Sequence, residues 1–203
     1  MTKLKILVIF LLLTATIESL SASKYLIPCK TNLIKASKDS AIAQVGVREK
    51  TGKNDGFKVE QYLQSVGRFK GDAYCAAGQY WCFYSACLDL KYPLTCIPIY
   101  KTGSTVTMFN EAIRVGNKMK PTPFDNDLIF WRKPNEWKGH VERIIEVLKA
   151  GWVKTVGFNT SSGNTGSQDD GGGVYFRKRN VNHFLGRMVL RGFIGFKPND
   201  GKL

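Results

Sequence analysis

The order of the hydrophobic periodicities predicts an α+β fold, with N-terminal helices packed on an antiparallel β-sheet. Apolar residues recur at helical spacing up to about residue 115, and short β-rich runs follow Pro121 and Pro123. Gly, Asn and Asp separate those later runs, as connections between strands require. The chain has 203 residues; without a leader it keeps about 180, enough for one domain with a normal core.

Each element follows from its own pattern. Leu33, Ile34, Ala41, Ile42 and Val45 lie on one helical face, and the pattern stops at Gly46. Arg48 to Gly56 is polar and contains glycine, which makes it a loop. Phe57 to Val66 is a second short amphipathic helix, with Gly67 after it. Cys75 to Leu88 is the most apolar helix and is expected to be the most buried. Thr107 to Val115 follows the start signal Gly103-Ser104. Leu128 to Trp131, His140 to Leu148, Trp152 to Phe158, Gly173 to Arg177 and Val189 to Phe196 read as strands. Thr160 to Gly173 is rich in Ser, Gly, Asn and Asp and reads as one mobile loop.

Residues 1–22 have the plan of a secretory signal peptide. Lys3 and Lys5 precede the apolar run Ile6 to Leu13, and Ser19-Leu20-Ser21-Ala22-Ser23 offers a cleavage site near Ala22. The run is well short of the roughly 18–20 residues that a spanning helix needs. Residues 23–203 are therefore expected to form a single exported domain, extracellular or periplasmic, with no membrane span after the leader is removed.

The formal net charge is +14, and loss of Lys3, Lys5 and Glu18 leaves about +13. So basic a surface seeks polyanions. The basic residues are scattered, with Arg177-Lys178-Arg179 as the one tight cluster, and no zinc-finger spacing or aromatic nucleic-acid motif is present. For an exported chain the expected partner is peptidoglycan or another anionic cell-envelope polymer, and not nucleic acid. A monomer is expected.

Five cysteines in an exported chain suggest some bridging. On one helix Cys75 and Cys82 are about 10 Å apart, and Cys82 and Cys87 about 7.5 Å. Both exceed the reach of a disulfide. Cys87 with Cys96 is the easier pair, and a bridge to Cys75 would remove a nucleophile. With two histidines and no close cysteine pair, neither a metal nor any other cofactor is expected.

The chemistry centres on Cys75. Gly71-Asp72-Ala73-Tyr74-Cys75 reads as a turn running into a helix, and free N–H groups at a helix start favour a thiolate. Gly139-His140-Val141 and Gly157-Phe158-Asn159 follow in strands. Cysteine, histidine, asparagine is the chain order of a papain-type thiol hydrolase. Cys75 would be the nucleophile, His140 the general base and acid, and Asn159 the neutral group that holds the imidazole. His183 sits in the polar stretch Asn180 to Phe184 and has no such setting. The oxyanion hole would use the Cys75 N–H and one side-chain donor, for which Tyr74, Asp72 and Gln79 are the candidates; Tyr74 and Gln79 are also expected to touch substrate. Glu49 and Asn54 either line the substrate groove or order their own loop. Trp81 and Trp131 read as core.

These segments resemble the CHAP family, the cysteine- and histidine-dependent amidohydrolases/peptidases of bacterial cell walls. The resemblance runs through Ala43 to Glu49, Gly52 to Gly56, Tyr74-Cys75-Ala76-Ala77, Trp81-Cys82, Asp127 to Phe130, Gly139-His140-Val141, Asn159-Thr160-Ser161 and Gly171 to Tyr175. It implies a papain-like fold and cleavage of amide bonds in peptidoglycan stem peptides or cross-bridges through an acyl-enzyme. Some members place a catalytic glutamate two residues before the asparagine; here that position is Gly157. Others bind calcium through an acidic loop before the nucleophile; here Ser65 to Lys70 is basic, and no calcium is expected. The alternatives are a catalytically silent wall-binding module on the same fold and a transpeptidase or acyltransferase with the same triad.

Overall fold

The computed structural model describes residues 22–162 and 171–201. The expected leader falls almost entirely outside them, as does the middle of the Thr160 to Gly173 segment. The described chain is a mixed α/β arrangement of four α-helices and a seven-stranded sheet. In order these are β1 (Ser23–Cys29), α1 (Thr31–Ala43), α2 (Phe57–Ser65), α3 (Cys75–Asp89), a 3-10 turn (Leu94–Cys96), α4 (Thr105–Val115), β2 (Asn117–Met119), β3 (Leu128–Arg132), β4 (Gly139–Val147), β5 (Trp152–Thr160), β6 (Gly173–Asn180) and β7 (Val189–Pro198).

The four helices and five of the strands lie where periodicity places them. Two strands do not follow from it. β1 abuts the leader and holds Pro28, a residue that argues against a strand. β2 is three exposed residues with no apolar side to read. The sheet order is β2-β1-β7-β3-β4-β5-β6. Its pairings are antiparallel except β1 with β7, which run parallel. The expected wholly antiparallel sheet is therefore corrected at one pairing, which joins the first strand of the domain to the last.

Strand alternation divides the sheet into two faces. On one, Val141, Phe130, Leu128 and Ile194 pack with residues of α1, α3 and α4, and Val156, Phe158 and Val174 pack with α2 and α3. On the other, Ile129, Trp131, Ile144 and Val153 pack with Leu185 and Met188 from the β6–β7 connection. α3 lies unusually close to β5. A Cβ on Gly78 would fall 2.2 Å from the Phe158 ring, so only glycine fits there. That contact fixes where the start of α3, and with it Cys75, sits over the strand ends.

Two surface expectations change. The five cysteines are unbridged, so the expected Cys87–Cys96 disulfide is absent from the structure. Cys96 lies on the 3-10 turn against the core cluster that holds Cys29 and Cys87. The run Arg177-Lys178-Arg179 is not one surface patch. β6 alternates, leaving Lys178 exposed, Arg177 half-buried and Arg179 buried. Among the described residues no helix is long and apolar enough to cross a membrane.

Candidate active site

The three residues in the expected order meet in one cavity. Cys75, His140 and Asn159 line a cavity of about 120 Å³, together with Ala73, the approach to α4 (Gly103 to Thr105) and the β3–β4 turn (Trp137 to Gly139). Each arrives by a local device. The turn before Cys75 is tied by the Phe69 N–H donating to Asp72 Oδ2 at 3.2 Å, and Gly71 takes the positive φ that the turn needs. No side chain caps α3, so the N–H groups of its first turn stay available to a ligand. His140 is the second residue of β4. Asn159 stands at a β-bulge, where the β5–β6 register shifts between Gly157 and Thr160. Its φ of 51° is one that asparagine tolerates, and the bulge aims it into the cavity.

Cys75 is 5 % exposed and shares the cavity with His140, which it influences electrostatically. Burial pushes Cys29 and Cys82 up to about 12 and Cys87 up to about 11, which leaves them protonated at neutral pH. His140 Nε2 lies 3.1 Å from Glu142 Oε1, so Nδ1 is the ring nitrogen left for the thiol. Burial acts to lower the imidazole pKa, but hydrogen bonds and charge from Cys75 and Glu142 outweigh it and hold the value at about 9. Asn159 Oδ1 is buried without a hydrogen-bond partner among the described residues.

Glu142 was not among the expected site residues. It is wholly buried, and Arg179 grips it with Nε at 3.1 and 3.0 Å from its two oxygens and with Nη2 on Oε1. Thr155 Oγ1 donates to Oε2 at 2.5 Å. Burial alone would raise its pKa; the Arg179 charge and the bonds from His140 and Arg179 hold the carboxyl well below the usual range. One sequence signal could have found it: His140 and Glu142 are two apart on a strand and so share a face.

Glu49 and Asn54, expected in the groove or in their own loop, and Tyr74 and Gln79, expected near the oxyanion hole, are all tied up elsewhere. Glu49 Oε2 accepts the Asn54 N–H at 2.9 Å, and its Oε1 accepts from Tyr74 Oη at 3.1 Å. Asn54 Nδ2 donates to the Gly71 carbonyl at 3.2 Å. Tyr74 Oη also lies near the Asn159 N–H. These three therefore form a chain that seats the bulge carrying Asn159. Gln79 Nε2 donates to the Val156 carbonyl at 3.3 Å and ties α3 to β5. None of the four is among the residues lining the cavity. His183 is exposed and lies edge-on to Trp152 at 5.9 Å, away from the cavity. Trp131 is in the core, and Trp81 is half-buried against Tyr62 at 5.2 Å. Among the described residues no group of three His, Cys, Asp or Glu side chains is placed to hold a metal ion.

His183→Ala is accordingly expected to leave any Cys75-dependent reaction and its pH profile unchanged, whereas His140→Ala removes the limb set by the imidazole. Parallel pH–rate profiles of the two variants check this. An essential His183 would place the chemistry elsewhere.

Comparison with models of known protein families, with curated proteins and with solved structures gave no match to this chain.

Proposed function

We propose that this protein is an exported cysteine hydrolase that cleaves amide bonds in the peptides of the bacterial cell wall, on a papain-like arrangement of α3 against the sheet. The observation that carries the reading is the meeting of Cys75, at the start of an uncapped helix, with His140 in one cavity open to ligands. The Cys75 thiol gives its proton to His140 Nδ1 and attacks the scissile carbonyl. First-turn N–H groups of α3 stabilise the oxyanion. The imidazolium then protonates the leaving amine, and a thioester remains on Cys75. Water activated by His140 hydrolyses the thioester, which restores the thiol and releases a carboxylate.

The choice of substrate rests on the CHAP-like segments and on charge. Trp137, 77 % exposed, and the exposed Lys138 stand at the cavity mouth and offer a flat apolar face and a cation to a peptide that carries carboxylates. Mass spectrometry of muropeptides after digestion tests the reading, with one new amine and one new carboxyl terminus per cut as the expected product. Unchanged muropeptides would reject the substrate class.

Basicity gives a second test. Cleavage of whole walls is expected to fall steeply between 0.1 M and 1 M salt, as the Debye length shrinks from roughly 10 Å to about 3 Å. Cleavage of a small soluble muropeptide is expected to fall far less, because its contacts lie inside the cavity. Equal losses on both substrates would show that the net charge is no wall anchor. Charge neutralisation at Lys178 is the appropriate companion variant, since Arg179 is buried on Glu142.

A further inference from the structure

We propose that Glu142, reaching in from β4 to occupy the space left open at Gly157, is the residue that positions His140, and that Arg179 and Thr155 hold its carboxylate for that task. The proposal rests on the cysteine-hydrolase reading and goes beyond it by assigning the third group of the triad and its support.

Three features of the geometry converge. First, Glu142 and Gly157 are direct partners in the β4–β5 ladder. A Cβ at residue 157 would lie 2.8 Å from Glu142 Oε1 and 3.0 Å from Cδ, so position 157 can carry no side chain while Glu142 is in place. In the resembling family a glutamate can stand at that position. Here the carboxylate reaches the same place from the neighbouring strand. Second, Glu142 Oε1 meets His140 Nε2 at 3.1 Å, while Asn159 Oδ1, on the same cavity, has no partner among the described residues. The ring is held by the carboxylate and not by the amide. Third, a carboxylate this deeply buried is costly unless it is paired. The guanidinium of Arg179 and the Thr155 hydroxyl take up both of its oxygens, and Arg179 Nη2 is also 3.3 Å from Thr160 Oγ1.

The consequence is chemical. A carboxylate at Nε2 keeps that nitrogen protonated in the neutral ring, so Nδ1 is free to receive the Cys75 proton. It then stabilises the imidazolium without itself taking the proton. The charged and titratable groups bearing on His140 are Cys75 from α3, Glu142 from β4 and, through Glu142, Arg179 from β6; Lys138 stands on the cavity wall. Cys75 and Glu142 together hold the ring's value at about 9, above its ordinary 6.5, so it keeps the proton that it takes from the thiol. The alkaline limb of the reaction belongs there.

The test compares Glu142→Gln, Asn159→Ala and Arg179→Lys with the wild type, each checked for folding by its thermal transition. Two readouts are used: kcat and KM on a soluble muropeptide across pH, and the pH dependence of Cys75 alkylation by iodoacetamide, which needs no substrate. Glu142→Gln is expected to lower kcat by about two to four orders of magnitude with KM little changed. It should also move the alkaline limb of the kcat profile, and the matching step in the alkylation profile, from near 9 towards 6.5. Asn159→Ala should leave that limb in place whatever it does to the rate, and Arg179→Lys should shift it partway. Should Glu142→Gln unfold the chain by stranding Arg179, the exchange variant Glu142→Gly with Gly157→Glu returns the carboxylate from the other strand, and it should restore the limb near 9. A folded Glu142→Gln protein with kcat within threefold of wild type and an unmoved limb would overturn the proposal. So would a limb that follows Asn159 instead. If the wild type cleaves no muropeptide but its alkylation profile still depends on Glu142, the substrate reading fails while this assignment stands.

Discussion

Cys75→Ala is expected to abolish muropeptide cleavage, lowering kcat by at least about four orders of magnitude, while the thermal transition stays within a few degrees of wild type. The thiol supplies the bond that makes the acyl-enzyme, and no other side chain in the cavity can replace it. Cys82 and Cys87 lie on the same helix, but they are buried thiols held protonated in the core. Cys75→Ser should be nearly as inactive, because a base poised for a thiol does not ionise a hydroxyl. Little stability should be lost, since Cys75 lines a cavity and its side chain is small. The measurement is release of new amine termini from purified muropeptides, read beside the unfolding curve. Cleavage by Cys75→Ala at the wild-type rate would remove the mechanism altogether.

Gly78→Ala is expected to destabilise the fold by about 1–3 kcal/mol and to reduce cleavage out of proportion to that loss. The added methyl would meet the Phe158 ring at 2.2 Å. That ring is fully buried and held edge-on by Tyr62 at 5.2 Å, so it cannot swing aside. The relief is for α3 to lift from β5, and Cys75 lies at the end of α3 that would move. For a domain of this size, each kcal/mol corresponds to roughly 2–4 °C in Tm. Phe158→Leu added to Gly78→Ala should recover part of both losses by making room for the methyl. Calorimetry and muropeptide kinetics on the single and double variants check the point. An unchanged Tm for Gly78→Ala would mean that the close approach of α3 to β5 does not set the position of the nucleophile.

The helices were legible because each is long enough to show an apolar face: Leu33, Ile34 and Ala41 on α1, and Val59, Tyr62 and Leu63 on α2. β1 and β2 were not, for opposite reasons. β1 is shaped by its neighbours and tolerates Pro28 near its end, where it pairs with Lys197. β2 has three exposed residues and no pattern at all. The parallel β1–β7 pairing could not be read because it joins residues more than 160 positions apart.

At the site, chain order brought Cys75, His140 and Asn159 to one cavity. It did not reveal what holds the imidazole. Glu142 lies two residues from His140, yet a lone acidic residue in a strand looks like a solvent-facing one. Its buried status depends on Arg179, a partner on another strand. Arg179 in turn was hidden inside a run of three basic residues. Run composition averages over both faces of a strand, whereas alternation puts Lys178 on the opposite side from Arg177 and Arg179. Glu49, Asn54 and Tyr74 show the converse: polar residues in a conspicuous loop that bond mainly to one another and to the backbone beneath Asn159.

The most direct test of the central claim is to trap the acyl-enzyme. Wild-type protein is mixed with a purified muropeptide, quenched in acid within the first turnovers and weighed intact by mass spectrometry. The account predicts a mass gain equal to the acyl half of the cleaved peptide. That gain should map to the proteolytic fragment containing Cys75, disappear with hydroxylamine, and be absent from Cys75→Ala. Turnover of the muropeptide with no adduct at any quench time, or an adduct on another residue, would contradict it.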